Sequence, residues 1–397
     1  MKIPEKIVLI ILSVLIIFCS VLLYFILYYS QVNNANFIQK GFVEEGLIEK
    51  RTILSSISEI SINNKLSDSP KIIKAVYVTS WSARSKQYLK YLETLFETTE
   101  INAVVIDIKD YTGHTITSDI DGLIKELHSK GIYVIGRIVV FEDPIFARTH
   151  PNLAVYDESK TTDTKNPVLW TDNHNLQWVD PASKEYWDYN ISIAKDAINH
   201  GFDELNFDYI RFPSDGQTKN MGFPFWDKKV PMHLVIKEFF QNLRESLPEA
   251  KLSADLFGYS AVAINDMGIG QILEDSFDYF DYISLMVYPS HYTDGFQGYP
   301  NPAEYPYEVI KYSMDEALKR QTEYYNKLEE TKGMKISNRA KFRPWLQDFN
   351  MGADYNEEMV KAEIKATADS LGEDFNGFML WNPSNIYTTG AVKNSPQ

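Results

Sequence analysis

Gly201-Phe202-Asp203-Glu204-Leu205-Asn206-Phe207-Asp208-Tyr209-Ile210-Arg211-Phe212-Pro213 reads as a strand that runs out into a loop. Phe202, Leu205, Phe207 and Ile210 supply its apolar positions, and the polar side chains cluster toward the exit. Asp208 and Arg211 therefore stand where a strand stops and a site can begin. A guanidinium beside a carboxylate holds it ionised by lowering its pKa. The same pair can serve only to brace a fold, so the surrounding chain has to decide.

Outward from this stretch, from Lys71 on, short β-rich runs alternate with amphipathic ones, the signature of a parallel sheet with helical crossovers. Upstream lie Ala75–Thr79, Ala103–Ile108 and Tyr133–Val140; the opening stretch gives Glu204–Tyr209. Downstream lie Lys251–Leu256, Tyr282–Val287, Phe342–Leu346 and Gly377–Trp381. Helical patterns fall between them at Lys86–Thr98, Ile120–Lys130, Ala182–His200, Pro231–Leu247, Ile269–Phe277, Pro306–Thr331 and Asn356–Leu371, with Gly131 and Gly201 placed as C-caps. Eight such units predict a (β/α)8 TIM barrel over 71–397. A doubly wound open sheet would carry a Gly-rich phosphate loop after its first strand, where this chain has Ser80-Trp81-Ser82-Ala83-Arg84. Little chain follows Trp381, so the last helix is short or missing. The longest insertion, 141–181, has no periodicity, and a loop of that length is functional or disordered.

Ahead of the barrel, Ile7 to Tyr29 is uncharged and apolar. As a helix at about 1.5 Å per residue it covers the ~30 Å bilayer core. Lys2 and Lys6 precede it, and the next Lys or Arg is Lys40. The positive-inside rule then leaves the N-terminus cytoplasmic and the rest extracellular. The run is long for a cleaved signal peptide and lacks a small-residue cleavage pattern close behind it. The expected organisation is a single-pass anchor (1–30), a spacer that is partly helical or disordered (31–70), and the barrel (71–397). Cys19, the sole cysteine of the 397 residues, permits no internal disulfide, and Phe18 before it argues against lipidation. A net charge of −15 disfavours nucleic acid as a partner.

In barrels of this type the chemistry sits at the C-terminal ends of the strands. Read in order, those ends carry Trp81; Asp107, Lys109 and Asp110; Arg137, Glu142 and Asp143; Asp208 and Arg211; Asp255; Tyr288 and His291; Gln347 and Asp348; Trp381 and Asn382. Carboxylates, guanidiniums and aromatics all gather at one rim. Cleaving a glycosidic bond needs one protonated carboxyl to assist the leaving oxygen and a second as nucleophile or base. Asp208 and Asp255 end neighbouring strands and are the expected catalytic pair. Arg137 and Arg211 are expected to keep one of them ionised. Trp81, Tyr288 and Trp381 offer stacking faces, and Arg137 and Arg211 are expected to contact substrate as well, with Asp107, His291, Asp348 and Asn382 completing the expected substrate contacts. The seven histidines form no HxH or HExxH spacing and no G-x-S-x-G elbow is present, so no metal or cofactor is expected.

The segments AVYVTSWSARS, NAVVIDIKDYTG, KGIYVIGRIVVFEDP, GFDELNFDYIRFPSDG, KLSADLFG, MVYPSHY, RPWLQDF and GFMLWNPSN resemble a family of TIM-barrel glycosidases catalogued as a domain of unknown function. The likeness covers about 71–390 and implies the barrel fold and a carbohydrate substrate. A more distant similarity is to chitinase-type barrels, whose fourth strand reads D-G-x-D-x-D-x-E. Asp203 and Asp208 match its first and third Asp, Asn206 replaces the second, and Ile210 stands where that group has its catalytic Glu. Substrate-assisted chitinase chemistry therefore does not carry over. The expected function is a membrane-anchored extracytoplasmic glycoside hydrolase acting on a cell-wall or surface polysaccharide. The alternative is a glycan-binding barrel without catalysis that serves as a surface scaffold.

Overall fold

The computed structural model describes residues 65–116, 120–333 and 335–393. Eight parallel strands close into a barrel: β1 (Ile73–Val78), β2 (Ala103–Lys109), β3 (Tyr133–Val139), β4 (Glu204–Asp208), β5 (Leu252–Phe257), β6 (Tyr282–Met286), β7 (Trp345–Gln347) and β8 (Gly377–Trp381). Each pairs with the next, and β8 returns to β1 with Gly377 opposite Ile73 and Leu380 opposite Val76. A two-residue strand, Lys341–Phe342, pairs with β6 just before β7. The expected single run breaks there at Arg343-Pro344, since proline has no N–H to give the ladder.

β2 and β3 are buried at every position because a barrel strand has a core on both sides. Side chains alternate between them with period two. On β1, Ala75 and Tyr77 join the barrel interior with Val105, Ile135 and Met379. Val76 and Val78 join the outer core, to which Leu92 and Leu95 contribute. That outer layer uses α1 (Lys86–Thr98), α2 (Ile120–Ser129), the short α3 (Pro144–Thr149), α4 (Lys184–His200), α5 (Met232–Ser246), α6 (Pro306–Lys332) and α7 (Glu357–Leu371). Ser85, Ser183 and Asn356 cap α1, α4 and α7 by accepting from the N–H groups of Tyr88, Tyr186 and Met359. Gly201, at φ 102°, ends α4 in the left-handed conformation that glycine tolerates.

The expected helix at Ile269–Phe277 is not one: only a 3-10 turn, Leu273–Ser276, forms there. Gly268 and Gly270 hold φ of 69° and 82°, which stops a helix from starting in that stretch. The barrel therefore crosses from β5 to β6 without an α-helix. After β8 the described residues make only the 3-10 turn Thr389–Val392. The 141–181 insertion is ordered. Its Tyr156–Asp157 pairs antiparallel with Met221–Gly222 from the β4 loop, and Trp170 and Trp178 are buried.

A polar plug closes the lower end of the barrel. Glu204 at the start of β4 forms a fully buried ion pair with Arg343, and Tyr133 Oη donates to Glu204 at 3.3 Å. The Arg343 guanidinium lies 4.0 Å from the centre of the Tyr282 ring. At the same end Asp203 accepts from the backbone N–H of Leu66 (2.8 Å), so the chain is already part of the barrel before Lys71. Among the described residues no helix is long and apolar enough to cross a membrane. The expected anchor and nearly all of the expected spacer lie outside the described residues.

Candidate active site

Inward positions of β4 recur every second residue: Glu204, Asn206, Asp208. The first belongs to the plug, and the other two face the upper half of the barrel. There Arg137, inward from β3, is the central cation. Its Nη2 and Nε donate to Asp208 Oδ2 at 2.6 and 3.2 Å, and its Nη1 to Asp107 Oδ1 at 2.5 Å. Its Nε also lies 3.9 Å from Asp255 Oδ2. Three carboxyl groups thus surround one guanidinium, and like charges at this range resist joint ionisation.

The hydrogen bonds separate the three. Asp107 accepts at both oxygens, from Arg137 and from Tyr77 Oη (2.5 Å), and burial pushes its pKa up while both donors oppose the shift. Asp208 has the ion pair on Oδ2 and the Tyr209 N–H on Oδ1 (2.6 Å). Tyr209 sits at φ 52°, a conformation unusual for a side-chain-bearing residue and typical of functional turns. Asp255 is different. Its Oδ1 accepts from Asn206 Nδ2 (2.7 Å) and Trp345 Nε1 (2.8 Å), whereas the buried Oδ2 has no hydrogen-bond partner. Burial, then the charge of Asp208, push the Asp255 pKa well above the carboxylate range, against the pull of Arg137. A carboxyl with one oxygen saturated by donors and the other without a hydrogen-bond partner favours the neutral form.

Above these groups opens a cavity of about 360 Å³. Arg137, Asp208, Arg211, Asp255, Tyr288, His291 and Trp381 line it, together with Tyr209, Phe257, Tyr259, Met286, Tyr292 and Trp345. Trp381 stacks on Tyr77 with ring centres 4.0 Å apart and meets Trp345 edge-on at 5.7 Å. Burial lowers the His291 pKa, which favours the uncharged ring. The two expected catalytic carboxyls therefore converge on one guanidinium beneath one open cavity.

Four expected substrate contacts stand outside the cavity lining. Asp107 lies behind Arg137. Trp81 follows β1 and is 81% exposed. Asp348 accepts from the N–H and Oγ1 of Thr388 (2.8 and 2.5 Å), which ties the C-terminal loop to β7; burial pushes its pKa up to about 6. Asn382 donates to the carbonyls of Asp348 and Ile386 and caps the Ser384 N–H at 2.9 Å. Arg211 lines the cavity but makes no ion pair with Asp208: Arg137 alone takes that part. Three neighbours had no assigned role in the sequence. Asn206 was readable, being two residues before Asp208 and so on the same face. Trp345 was not, because its indole reaches Asp255 from two strands away. Glu142 is 4% exposed beside Arg211 and the Asp208 charge, and burial, then Asp172, push its pKa up to about 8. Among the described residues no group of three His, Cys, Asp or Glu side chains is placed to hold a metal ion.

An upper rim that brings an acid and an ion-paired carboxylate together under aromatic walls, on a closed parallel barrel, defines a glycosidase-type (β/α)8 protein. The chain belongs to the family described as "Putative glycosyl hydrolase domain", whose model matches residues 75–387. Among solved structures, the glycoside hydrolase domain of PgaB (BpsB) from Bordetella bronchiseptica is similar in fold, with a TM-score of 0.53. It is 13% identical over 82% of this chain and 100% of that one. A hypothetical protein from Ruminiclostridium thermocellum is 39% identical over 45% of this chain and 96% of its own, with a TM-score of 0.41. No protein of curated function matches the chain.

Proposed function

We propose that this chain is a membrane-anchored, extracytoplasmic glycoside hydrolase that cleaves O-glycosidic bonds of a cell-wall or surface polysaccharide. The observation that carries the reading is the convergence of Asp208 and Asp255 on Arg137 in the lining of one cavity, with Asp255 saturated at Oδ1 and without a hydrogen bond at Oδ2. Oδ2 has almost no exposed surface in the free chain, so in this mechanism the carboxyl turns toward the entering sugar, and its proton passes to the glycosidic oxygen as that oxygen's bond to the anomeric carbon breaks. The Asp208 carboxylate, steadied by Arg137 and the Tyr209 N–H, attacks that carbon. Water, deprotonated by Asp255, then cleaves the glycosyl ester. Both carboxyls lie near one Arg137 Nε, so their Oδ2 atoms are separated by no more than the 3.2 and 3.9 Å legs laid end to end. That ceiling admits the ~5–5.5 Å of retaining enzymes and only the lower edge of the ~6.5–9.5 Å of inverting ones. The proposed course is the retaining one, and the anomer of the product decides it.

The test is turnover of a panel of cell-wall and surface glycans by the full chain, with Asp208→Asn beside it and the anomer of the first product read by NMR. The expected result is a retained anomer and a loss of at least ~10³-fold in the variant. Equal turnover by Asp208→Asn removes Asp208 from the reaction, and an inverted product removes the ester.

One observation favours a second reading. Ile210 is fully buried where chitinase-type barrels place their acid, which suits a barrel that binds glycan without cutting it. Glycan binding by calorimetry, with no panel member cleaved at any pH, would establish that scaffold role.

A further inference from the structure

Arg211 lies in the cavity wall and is not neutralised there. Its side chain is 8% exposed, and its Cζ lies 4.7, 5.1 and 4.9 Å from the ring centres of Trp178, Tyr209 and Phe257. Nη1 donates to the Phe212 carbonyl and Ser214 Oγ, both at 3.1 Å. Among the described residues, Nε and Nη2 make no hydrogen bond, no carboxylate forms an ion pair with this guanidinium, and the residue lines the cavity. A charge this buried is costly without a partner in contact, so the arrangement suits a ligand. Glu142, Asp208 and Asp215 lie within electrostatic range of Arg211, but none forms an ion pair with it: burial keeps Glu142 largely protonated at neutral pH, and Asp208 is taken by Arg137. Arg137 cannot serve instead, since Asp107 and Asp208 occupy it.

We infer that Arg211 is a specificity-determining residue that receives the carboxylate of an acidic sugar, so that the substrate is a glycan containing uronic acid. This rests on the cavity being the sugar site proposed above. Nε and Nη2 form the side of a guanidinium that binds a carboxylate through two parallel hydrogen bonds. The three rings hold the fork in place, so little entropy is lost when it engages. A neutral sugar offers that fork only hydroxyls and leaves the charge uncompensated. The chain's net charge of −15 repels an anion at long range, but salt screens that field beyond ~8 Å while the contact itself persists.

The test is calorimetric titration of the full wild-type chain with D-glucuronate, D-glucose and D-glucose 6-phosphate, none of which has a glycosidic bond to be cut. Glucuronate is expected to bind roughly tenfold or more tightly than glucose, as charge-assisted hydrogen bonds warrant. Adding Arg211→Gln should level the two sugars, and adding Arg211→Lys should keep part of the preference. Equal or undetectable binding of glucuronate and glucose overturns the proposal, as does a preference that survives Arg211→Gln. A preference for the phosphate over glucuronate overturns the carboxylate assignment. Should Arg211→Gln fail to fold, the salt dependence in the wild-type chain decides: the preference must shrink as salt rises, and a salt-independent one overturns the proposal. Wild-type cleavage of neutral glycans without acid preference would remove this inference and leave the hydrolase reading intact. Acid preference in a chain that cleaves nothing would do the reverse.

Discussion

Asp255 can act as the acid only while it carries its proton, and burial, then the charge of Asp208, favour that form by pushing its pKa well above the carboxylate range. Activity should therefore fall as pH rises through its raised pKa, giving the basic limb of the profile. Asp255→Asn should cost ~10²–10⁴-fold on a sugar leaving group, which needs protonation. It should cost far less on a nitrophenyl glycoside, which does not, and should flatten the basic limb there. An equal loss on both substrates would show that Asp255 does something other than protonate. Glu142 makes a separate prediction about stability. Its pKa is about 8 in the fold against 4.5 ordinarily. Below about pH 4.5 both states hold the proton. Between there and about pH 8 the unfolded chain releases it and the folded chain does not, so stability declines; above that the loss is complete. The advantage of Glu142→Gln in urea midpoint should thus grow from about pH 5 to pH 8 and then level off. Parallel curves for the two proteins would refute the burial argument. The sequence placed Asp208, Asp255 and Arg137 at one rim because all three end strands. It offered Arg211 beside Arg137 as the partner of a carboxylate; which of two arginines makes that ion pair depends on barrel geometry that no spacing along the chain encodes.

Barrel closure depends on one position in β8. Gly377 has φ 113° opposite Ile73, and a Cβ built on it would stand 1.7 Å from the Ile73 carbonyl oxygen. That contact is backbone against backbone, so no rotamer change relieves it. Gly377→Ala should destabilise the fold by ~3 kcal/mol or more, combining an unfavourable φ with a displaced β1–β8 ladder. Chemical denaturation checks it, and a change below ~1 kcal/mol would mean that the two strands part easily. The strands themselves were legible, since runs such as AVVIDIK and YVIGRIV are buried on both faces and little else in a chain looks like that. The miss at 269–277 has a local cause. Its apolar spacing imitates a helix, but Gly268 and Gly270 commit the backbone to left-handed φ just where the first turn would form. The split of β7 at Pro344 was equally local and could have been read from the proline.

At the scale of the whole chain, the described residues have a polar plug at one end of the barrel, where Leu66 meets Asp203, and the cavity at the other. The proposed anchor at 7–29 makes a prediction about fractionation. The full chain should sediment with membranes and resist carbonate extraction, because a run of that length is held by its apolar area and not by charge. Deleting residues 1–30 should move the chain to the soluble fraction, and protease added to intact cells should digest the barrel and spare a tag placed before Lys2. A full chain that stays soluble removes the anchor, and a protected barrel with an accessible N-terminal tag reverses the orientation. Either result would leave the chemistry of the cavity standing but would move its polysaccharide to another compartment.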